Sequence, residues 1–322
     1  MAHLDVAICT HNRSAALAEV LARLSTQLDP GAMSWSVLVV DNASTDKTAK
    51  IVEKYTEFVP LRYVYEAKLG LTHARRRAVA ETQGAWIAFV DDDNLLEPGW
   101  IAAVSATILA WPKAGGVGGR VILQWDIPPV EAVKDFGFCF AEQDLGDSPR
   151  EVESLVGAGM VLKREALVTS GWTAAPMLDD RIGSSLVSGG DTEMALRVRS
   201  AGYQLRYTPD AVMHHRMPAS RASVKYLLQI NRSLGVTSAV VSLLGWSDDF
   251  QAWRASTRGN DQHRMREAFA GLWWSLRSGR KLIAAFAWLA FAYGHREGIA
   301  QVERMPEERR NLLLGLAILP RP

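Results

Sequence analysis

Short apolar runs alternate with stretches of helical periodicity through the first third of the chain. Asp5-Val6-Ala7-Ile8-Cys9-Thr10 reads as a strand. The polar turn His11-Asn12-Arg13-Ser14 follows, with Ser14 the expected N-cap of a helix on which Leu17, Val20, Leu21 and Leu24 share a face. Pro30-Gly31 breaks the chain before a second strand over 35–40, which runs into Asp41-Asn42-Ala43-Ser44-Thr45-Asp46. A helix over about 47–58, a third strand over 61–65 and a helix over 73–82 closed by Gly84 come next. Trp86-Ile87-Ala88-Phe89-Val90 is a buried-type strand that ends in three adjacent carboxylates, Asp91, Asp92 and Asp93. This alternation predicts an α/β fold, a mainly parallel, Rossmann-like sheet flanked by helices. Ligands in such sheets bind beyond the carboxyl ends of the strands, and these ends carry Thr10 to Arg13, Asp41-Asn42 and the three acids.

Beyond Trp111 the pattern loosens. Gly115, Gly116, Gly118 and Gly119 surround Val117 and lead into a strand over 120–123. Val156-Gly157-Ala158-Gly159-Met160-Val161-Leu162 is either a close-packed strand or backbone pressed against a ligand. A short helix over 163–168 and a small, polar stretch over 181–190 precede Asp191-Thr192-Glu193, which opens a helix to about Ala201. Either these acids cap the helix, or one is a general base at the end of a mobile loop. Strand pieces over 205–207 and 211–213 flank Pro209 and lead to His214-His215, whose side chains on a strand point to opposite faces.

From Ser223 the pattern is helical, which divides the chain into a catalytic domain over 1–222 and a helical C-terminal region over 223–322. The segment 282–293 is apolar on all sides, with Arg280-Lys281 before it and His295-Arg296 after it. It is either a buried packing helix or an interfacial segment. Its Trp and basic residues favour peripheral contact with an acidic membrane face. The tail from Asn311 adds another apolar run.

Composition narrows the classes. Of 322 residues 48% are apolar and 22% charged, enough for a full core. A net charge of +1 gives no global attraction to nucleic acid. Cys9 and Cys139 have no metal-type spacing, and Cys9 reads as a buried thiol. The N-terminus lacks a secretory pattern, and no uncharged apolar stretch reaches the ~20 residues that span a bilayer. The expected location is cytoplasmic, or at the inner face of the cell membrane. No Gly-x-Gly-x-x-Gly follows the first strand and no Gly-Lys-Ser/Thr loop occurs, which argues against dehydrogenase-type and P-loop folds. Three adjacent carboxylates repel one another unless positive charge sits among them, and a divalent cation with oxygen ligands meets that need. The alternative is a polar loop in which Asp93 or Asn94 caps a helix beginning near Pro98. The acids at Asp41 and Asp191 favour the cation site.

Taken in order, residues 6–13, 39–46, 70–75, 89–93 and 190–193 resemble the motifs of the family 2 glycosyltransferases, inverting enzymes with a GT-A fold. The resemblance covers about residues 5–221. It implies that Thr10, Asn12, Arg13, Asp41, Arg75, Asp91 and Asp92 bind the donor, with Asp41 near the base or ribose and Asp92 the least important of the triplet. It implies that Asp93 coordinates a divalent cation, Mn2+ or Mg2+, which bridges the diphosphate, that Asp91 faces the ribose or reaches the cation through water, and that His215, or else His214, lies beside it. Asp191 would be the general base. The donor would be a nucleoside-diphosphate sugar, a UDP-sugar first, and the acceptor a glycan or lipid-linked hydroxyl in cell-surface polysaccharide or glycolipid synthesis. Arg76 stands where the family often has Asn, Ala78 where it often has Gly, and Gly190 where it usually has Glu. The last departure puts the positioning of Asp191 in question. A sugar-phosphate nucleotidyltransferase is the runner-up, although His11-Asn12-Arg13 is not its glycine-rich basic loop. A decayed nucleotide-sugar-binding protein is the third reading, and Gly190 alone favours it.

Overall fold

The computed structural model describes residues 2–174, 176, 178, 189–244, 246, 248–276 and 279–314. Most of the small, polar stretch, residues 181–188, and the end of the apolar tail, from 315, lie outside them. The chain forms two compact units. One holds residues 2–124, 141–174 and 190–216, the other 125–140 and 217–314.

The first unit opens with β1 (His3–Thr10), α1 (Ser14–Leu24), β2 (Ser34–Asp41), α2 (Thr48–Tyr55), β3 (Leu61–Tyr65), α3 (Leu71–Glu81) and β4 (Trp86–Asp91). These four strands are parallel in the order β3-β2-β1-β4. The register itself levels the strand ends: Thr10 pairs with Asp41, and Cys9 with Asp91. β5 (Asn94–Leu96), α4 (Trp100–Ala110), β6 (Ala114–Trp125), β7 (Arg150–Val152), β8 (Met160–Lys163), α6 (Arg164–Thr169), α7 (Gly190–Ser200) and β9 (Gln204–Met217) follow, and α5 (Glu131–Lys134), between β6 and β7 in the chain, belongs to the second unit. β8 lies antiparallel between β4 and β6, and β9 carries β5 and β7 antiparallel, so the second half of the sheet is not parallel.

Side chains alternate between the two faces of β1. Leu4, Val6 and Ile8 join one cluster with Leu17, Val20, Leu21 and Leu24 of α1, while Ala7 joins another with Ala74, Ala78 and Val79 of α3. The three α1 leucines are fully buried, and each burial stabilises the fold by about 2 kcal/mol. The start of α1 differs from expectation. Its N-cap is Arg13, without a side-chain bond, and the Ser14 N–H donates to Asp46 Oδ2 at 2.9 Å. The Thr48 N–H donates to Asp46 Oδ1 at 3.0 Å, so one carboxylate caps two helices. Burial raises the Asp46 carboxyl, but the hydrogen bonds from Thr48 and Ser14 outweigh it and hold it at about 2. The glycines before Arg120 lie inside β6. A Cβ on Gly119 would sit 1.9 Å from the Ala211 carbonyl oxygen, and one on Gly115 would sit 2.4 Å from the Tyr203 Cβ.

The second unit is built on α8 (Val224–Leu244), α9 (Phe250–Ser275), α10 (Gly279–Arg304) and α11 (Glu307–Leu314). Gly235 of α8 faces the Phe291 carbonyl of α10, and Gly294 of α10 faces the Arg232 carbonyl, which lets the two backbones approach closely. The all-round apolar segment 282–293 thus has a packed side, with Ala285, Ala287 and Ala292 buried, and an outer side with Phe286, Trp288 and Tyr293 exposed. Phe136 and Phe138 lie against Trp288, which joins 125–140 to this unit. By length and composition α8 is long and apolar enough to cross a membrane, and 44% of its most apolar window is buried.

Candidate active site

The site is assembled from the carboxyl ends of β1, β2 and β4 and from the late strand β9. At the tip of β4 the chain turns sharply into β5, and this turn buries Asp92 and Asp93. Thr10 Oγ1 donates to Asp92 Oδ2 at 2.6 Å. The Arg13 Nη1 lies 2.7 Å from Asp92 Oδ1 and 3.0 Å from Asp93 Oδ2. The positive charge among these acids is therefore in part the chain's own guanidinium. Burial pushes the Asp92 carboxyl up to about 7, against the opposing pull of Arg13 and with a further push from Asp93. Burial alone would lower Arg13, yet Asp92 and Asp93 more than offset it and hold the guanidinium above its ordinary value. Asp92, which the motif reading ranked last of the three, is held by both Thr10 and Arg13.

The other oxygen of Asp93 faces β9. His215 Nε2 lies 3.5 Å from Asp93 Oδ1, and His215 is the register partner of Asn94. His214 turns to the opposite face, with Nε2 2.8 Å from Glu97 Oε1. Of the two histidines, then, His215 faces the acids. Asn94 caps no helix: it lies in β5, fully buried, with neither side-chain polar atom bonded, and the N-cap of α4 is Gly99. Among the described residues no three His, Cys, Asp or Glu side chains converge as a metal cage. One carboxylate oxygen and one imidazole nitrogen still fit a divalent cation whose remaining ligands arrive with a diphosphate and water.

The neighbouring loops are rigid by hydrogen bonding. Asp41 accepts from the Ser44 N–H at 2.8 Å and from the Tyr63 hydroxyl at 2.7 Å. Burial and that bond to Asp41 raise the Tyr63 phenol to about 12. Asn12 and Ala43 are held at φ 53° and 60°, a region that non-glycine residues enter at a cost. Asn12 is tied across to the β2 loop by its N–H to Ser44 Oγ at 2.9 Å, and its Oδ1 accepts from the Thr45 N–H at 2.8 Å. The Asn42 side chain accepts from the Gly70 N–H and donates to the carbonyls of Glu66 and Lys68, which fixes the approach to α3. Arg75 is buried, with its guanidinium 5.7 Å from the centroid of the Phe89 ring. Burial raises the thiol of the half-buried Cys9 to about 12, with Arg75 opposing.

Asp191 stands at the start of α7. The Gly157 N–H donates to its Oδ2 at 3.1 Å and the Thr192 N–H to its Oδ1 at 2.8 Å. Glu193, the other acid at this helix start, is fully buried. Its Oε1 accepts from Arg197 Nε at 2.7 Å and its Oε2 from the Leu178 N–H at 2.7 Å. Only Asp191 of the two retains solvent access. The glycines over 156–162 serve packing: a Cβ on Gly157 would meet Asp191 Oδ2 at 2.6 Å, and one on Gly159 would meet Met213 Cε at 1.8 Å. Met160 is the register partner of Phe89, so Gly157 lies at the same end of the sheet as Asp91 to Asp93.

The fold thus brings Thr10, Arg13, Asp92, Asp93 and His215 into one cluster, with Asn12 in the adjoining loop and Asp41 and Asp91 at the ends of β2 and β4. Tyr63 and Gly157 were not legible as site residues. Tyr63 sits across from Val39 in the β2–β3 register, and its reach to Asp41 depends on that pairing.

Residues 5–168 match the family model described as "Glycosyl transferase family 2". Succinoglycan biosynthesis protein ExoM of Rhizobium meliloti is 26% identical over 262 residues, covering 80% of this chain and 81% of that protein. The mannosyltransferase PcManGT of Pyrobaculum calidifontis, solved with GDP-Man and Mn2+, shares the fold at TM-score 0.53 and 20% identity over 97% of this chain and 78% of that one. The S. aureus TarS fragment 1-349, solved with UDP-GlcNAc, shares it at TM-score 0.55 and 15% identity over 97% and 90%.

Proposed function

The chain belongs to glycosyl transferase family 2 and is a glycosyltransferase, and we propose that it moves a sugar from a nucleoside diphosphate to an acceptor hydroxyl by one inverting displacement. The observation that carries this reading is the pairing of Asp93 Oδ1 with His215 Nε2 at the end of the parallel strands. Those two side chains would hold a divalent cation, manganese before magnesium because one donor is an imidazole nitrogen. Such a cation, when bound, neutralises charge developing on the departing diphosphate. The remaining work falls to the chain. Arg13 offsets the charge of Asp92 and Asp93, which lowers the repulsion a polyanionic donor meets there. Thr10 and Arg13 lock Asp92, and with it the turn that presents Asp93. Asp91 stands toward the ribose, and Asp41, held by Ser44 and Tyr63, contacts the nucleoside. Asp191 takes the proton of the attacking hydroxyl, its orientation fixed by the N–H groups of Gly157 and Thr192.

A UDP-sugar is the first donor to try and a GDP-sugar the second. The acceptor is a glycan or lipid-linked hydroxyl of cell-surface polysaccharide or glycolipid synthesis; ExoM is by its name a succinoglycan biosynthesis protein. Asp191→Asn tests the assignment: release of nucleoside diphosphate in the presence of acceptor falls at least ~10²-fold while donor binding persists. Turnover near the wild-type rate would remove Asp191 from the mechanism.

A further inference from the structure

The last two turns of α9 present an apolar face where the preceding turns present a polar one. The inner stripe of the helix buries Trp253, Thr257, Asp261, Met265, Ala268 and Ser275. Among the exposed positions Gln262, His263 and Arg266 are polar, and then the character changes to Phe269, Trp273, Trp274 and Leu276. Trp274 is 77% exposed and Trp273 and Leu276 are each 66% exposed. Three of the four most exposed large hydrophobic side chains among the described residues thus fall within four consecutive positions. The two indoles meet edge to face with centroids 4.9 Å apart, forming one ledge. An outward helix face in water is normally polar, and a contiguous aromatic ledge marks a contact surface.

The charge around the ledge says what it contacts. From Arg264 to Lys281 the sequence has five cationic residues, Arg264, Arg266, Arg277, Arg280 and Lys281, against one acid, Glu267. That acid is itself paired with His263 at 3.2 Å. The whole chain carries only +1, so the basic character is local.

We propose that this end of α9 docks on the surface of an anionic phospholipid bilayer. Trp273, Trp274 and Leu276 enter the headgroup layer, and the exposed Arg266 and Lys281 of the same basic stretch meet lipid phosphates. Indole suits that depth, with an apolar body and an N–H that can donate to headgroup oxygens. Cationic side chains gain from the negative surface potential of such a leaflet. A second copy of this chain is a poorer occupant, because a symmetric contact would bring two copies of the same net-basic stretch together. The apolar face spans two turns, which fits insertion parallel to the surface and not a crossing. The inference is independent of the donor-site assignment.

Flotation of the full chain with vesicles tests it. Wild type floats with vesicles of equal parts phosphatidylcholine and phosphatidylglycerol, is released by high salt, and floats about tenfold less with phosphatidylcholine alone. Trp273→Ser/Trp274→Ser lowers the bound fraction about tenfold while the melting temperature and its shift by nucleoside diphosphate stay at the wild-type values. No flotation, equal flotation of the double variant, or equal binding to both vesicle types overturns the proposal. So does a concentration-dependent dimer that the variant abolishes, since the ledge would then belong to a second copy.

Discussion

Replacing Gly157 by alanine adds one methyl group beside the carboxylate of Asp191. The new Cβ would lie 2.6 Å from Oδ2 and 2.9 Å from the Asp191 Cβ. Because the Asp191 Cβ is itself struck, turning the carboxylate does not relieve the overlap. The start of α7 or the backbone at 157 must move. Restoring an ordinary contact of 3.4 Å at Oδ2 asks for a shift of about 0.8 Å, and the same shift lengthens the 3.1 Å bond from the Gly157 N–H. A misplacement on the order of 1 Å lowers a rate about 10²-fold. That corresponds to about 2.7 kcal/mol of transition-state stabilisation. Over-packing costs the fold about 1–3 kcal/mol, which a urea titration measures separately. The assay is release of nucleoside diphosphate from donor and acceptor, with the nucleotide-induced rise in melting temperature as the binding control. The expected result is a kcat lower by about 10²-fold with nucleotide binding within about twofold of wild type. A variant that keeps more than about a third of the wild-type kcat while folding normally refutes the placement of Asp191 at this backbone.

Asp93→Ala and His215→Ala each reduce turnover by at least ~10²-fold and remove the cation dependence of nucleotide binding; cation-dependent thermal shifts that persist in either variant contradict its role. Glu193→Ala removes the carboxylate that the buried Arg197 guanidinium donates to at 2.7 Å and lowers stability by about 3–5 kcal/mol in urea unfolding; a loss under about 1 kcal/mol contradicts the buried pair. Gly294→Leu forces a side chain toward the Arg232 carbonyl, 1.9 Å from where its Cβ would stand, and destabilises the chain by about 2 kcal/mol or more in the same titration. The Asp46 carboxyl is held at about 2, below its ordinary 3.8, so its charge adds stability above the ordinary value, and that contribution is lost as pH falls through about 4 to 2. Melting temperature against pH is therefore flatter over that window for Asp46→Asn, by a small amount that salt weakens because the group is exposed; parallel profiles contradict the double cap.

Local pattern carried the parallel half of the sheet, since each of its strands is a short apolar run closed by a polar turn, and the third strand runs over the expected 61–65. The rest of the sheet depends on pairing between distant segments. Asn94 to Leu96 looks like the end of a polar loop and becomes β5 because β9 runs beside it. β9 itself continues through Pro209, where sequence suggests two pieces. The glycines over 115–119 suggest irregular chain, yet they are strand residues on which Tyr203, Leu155 and Ala211 pack. At the site, the three-acid tip was visible from composition alone, but not the fact that Arg13 sits among its charges. The resemblance puts His215 before His214, and strand alternation separates the two once β9 has a partner. Residue type alone leaves Asp191 and Glu193 open as the base and the resemblance names Asp191, while in the structure Arg197 and the Leu178 N–H occupy Glu193.

Asp93 and His215 are proposed to hold the divalent cation through which the acidic tip meets a nucleotide sugar. A thermal-shift screen of nucleoside diphosphates with and without manganese tests it most directly, because ligand binding to the folded state raises the melting temperature. One nucleoside diphosphate, UDP first, is expected to raise it when manganese is present, with the shift collapsing without the metal and lost in Asp93→Ala. No shift with any nucleoside diphosphate, or an equal shift with and without metal in wild type and Asp93→Ala alike, would contradict the account.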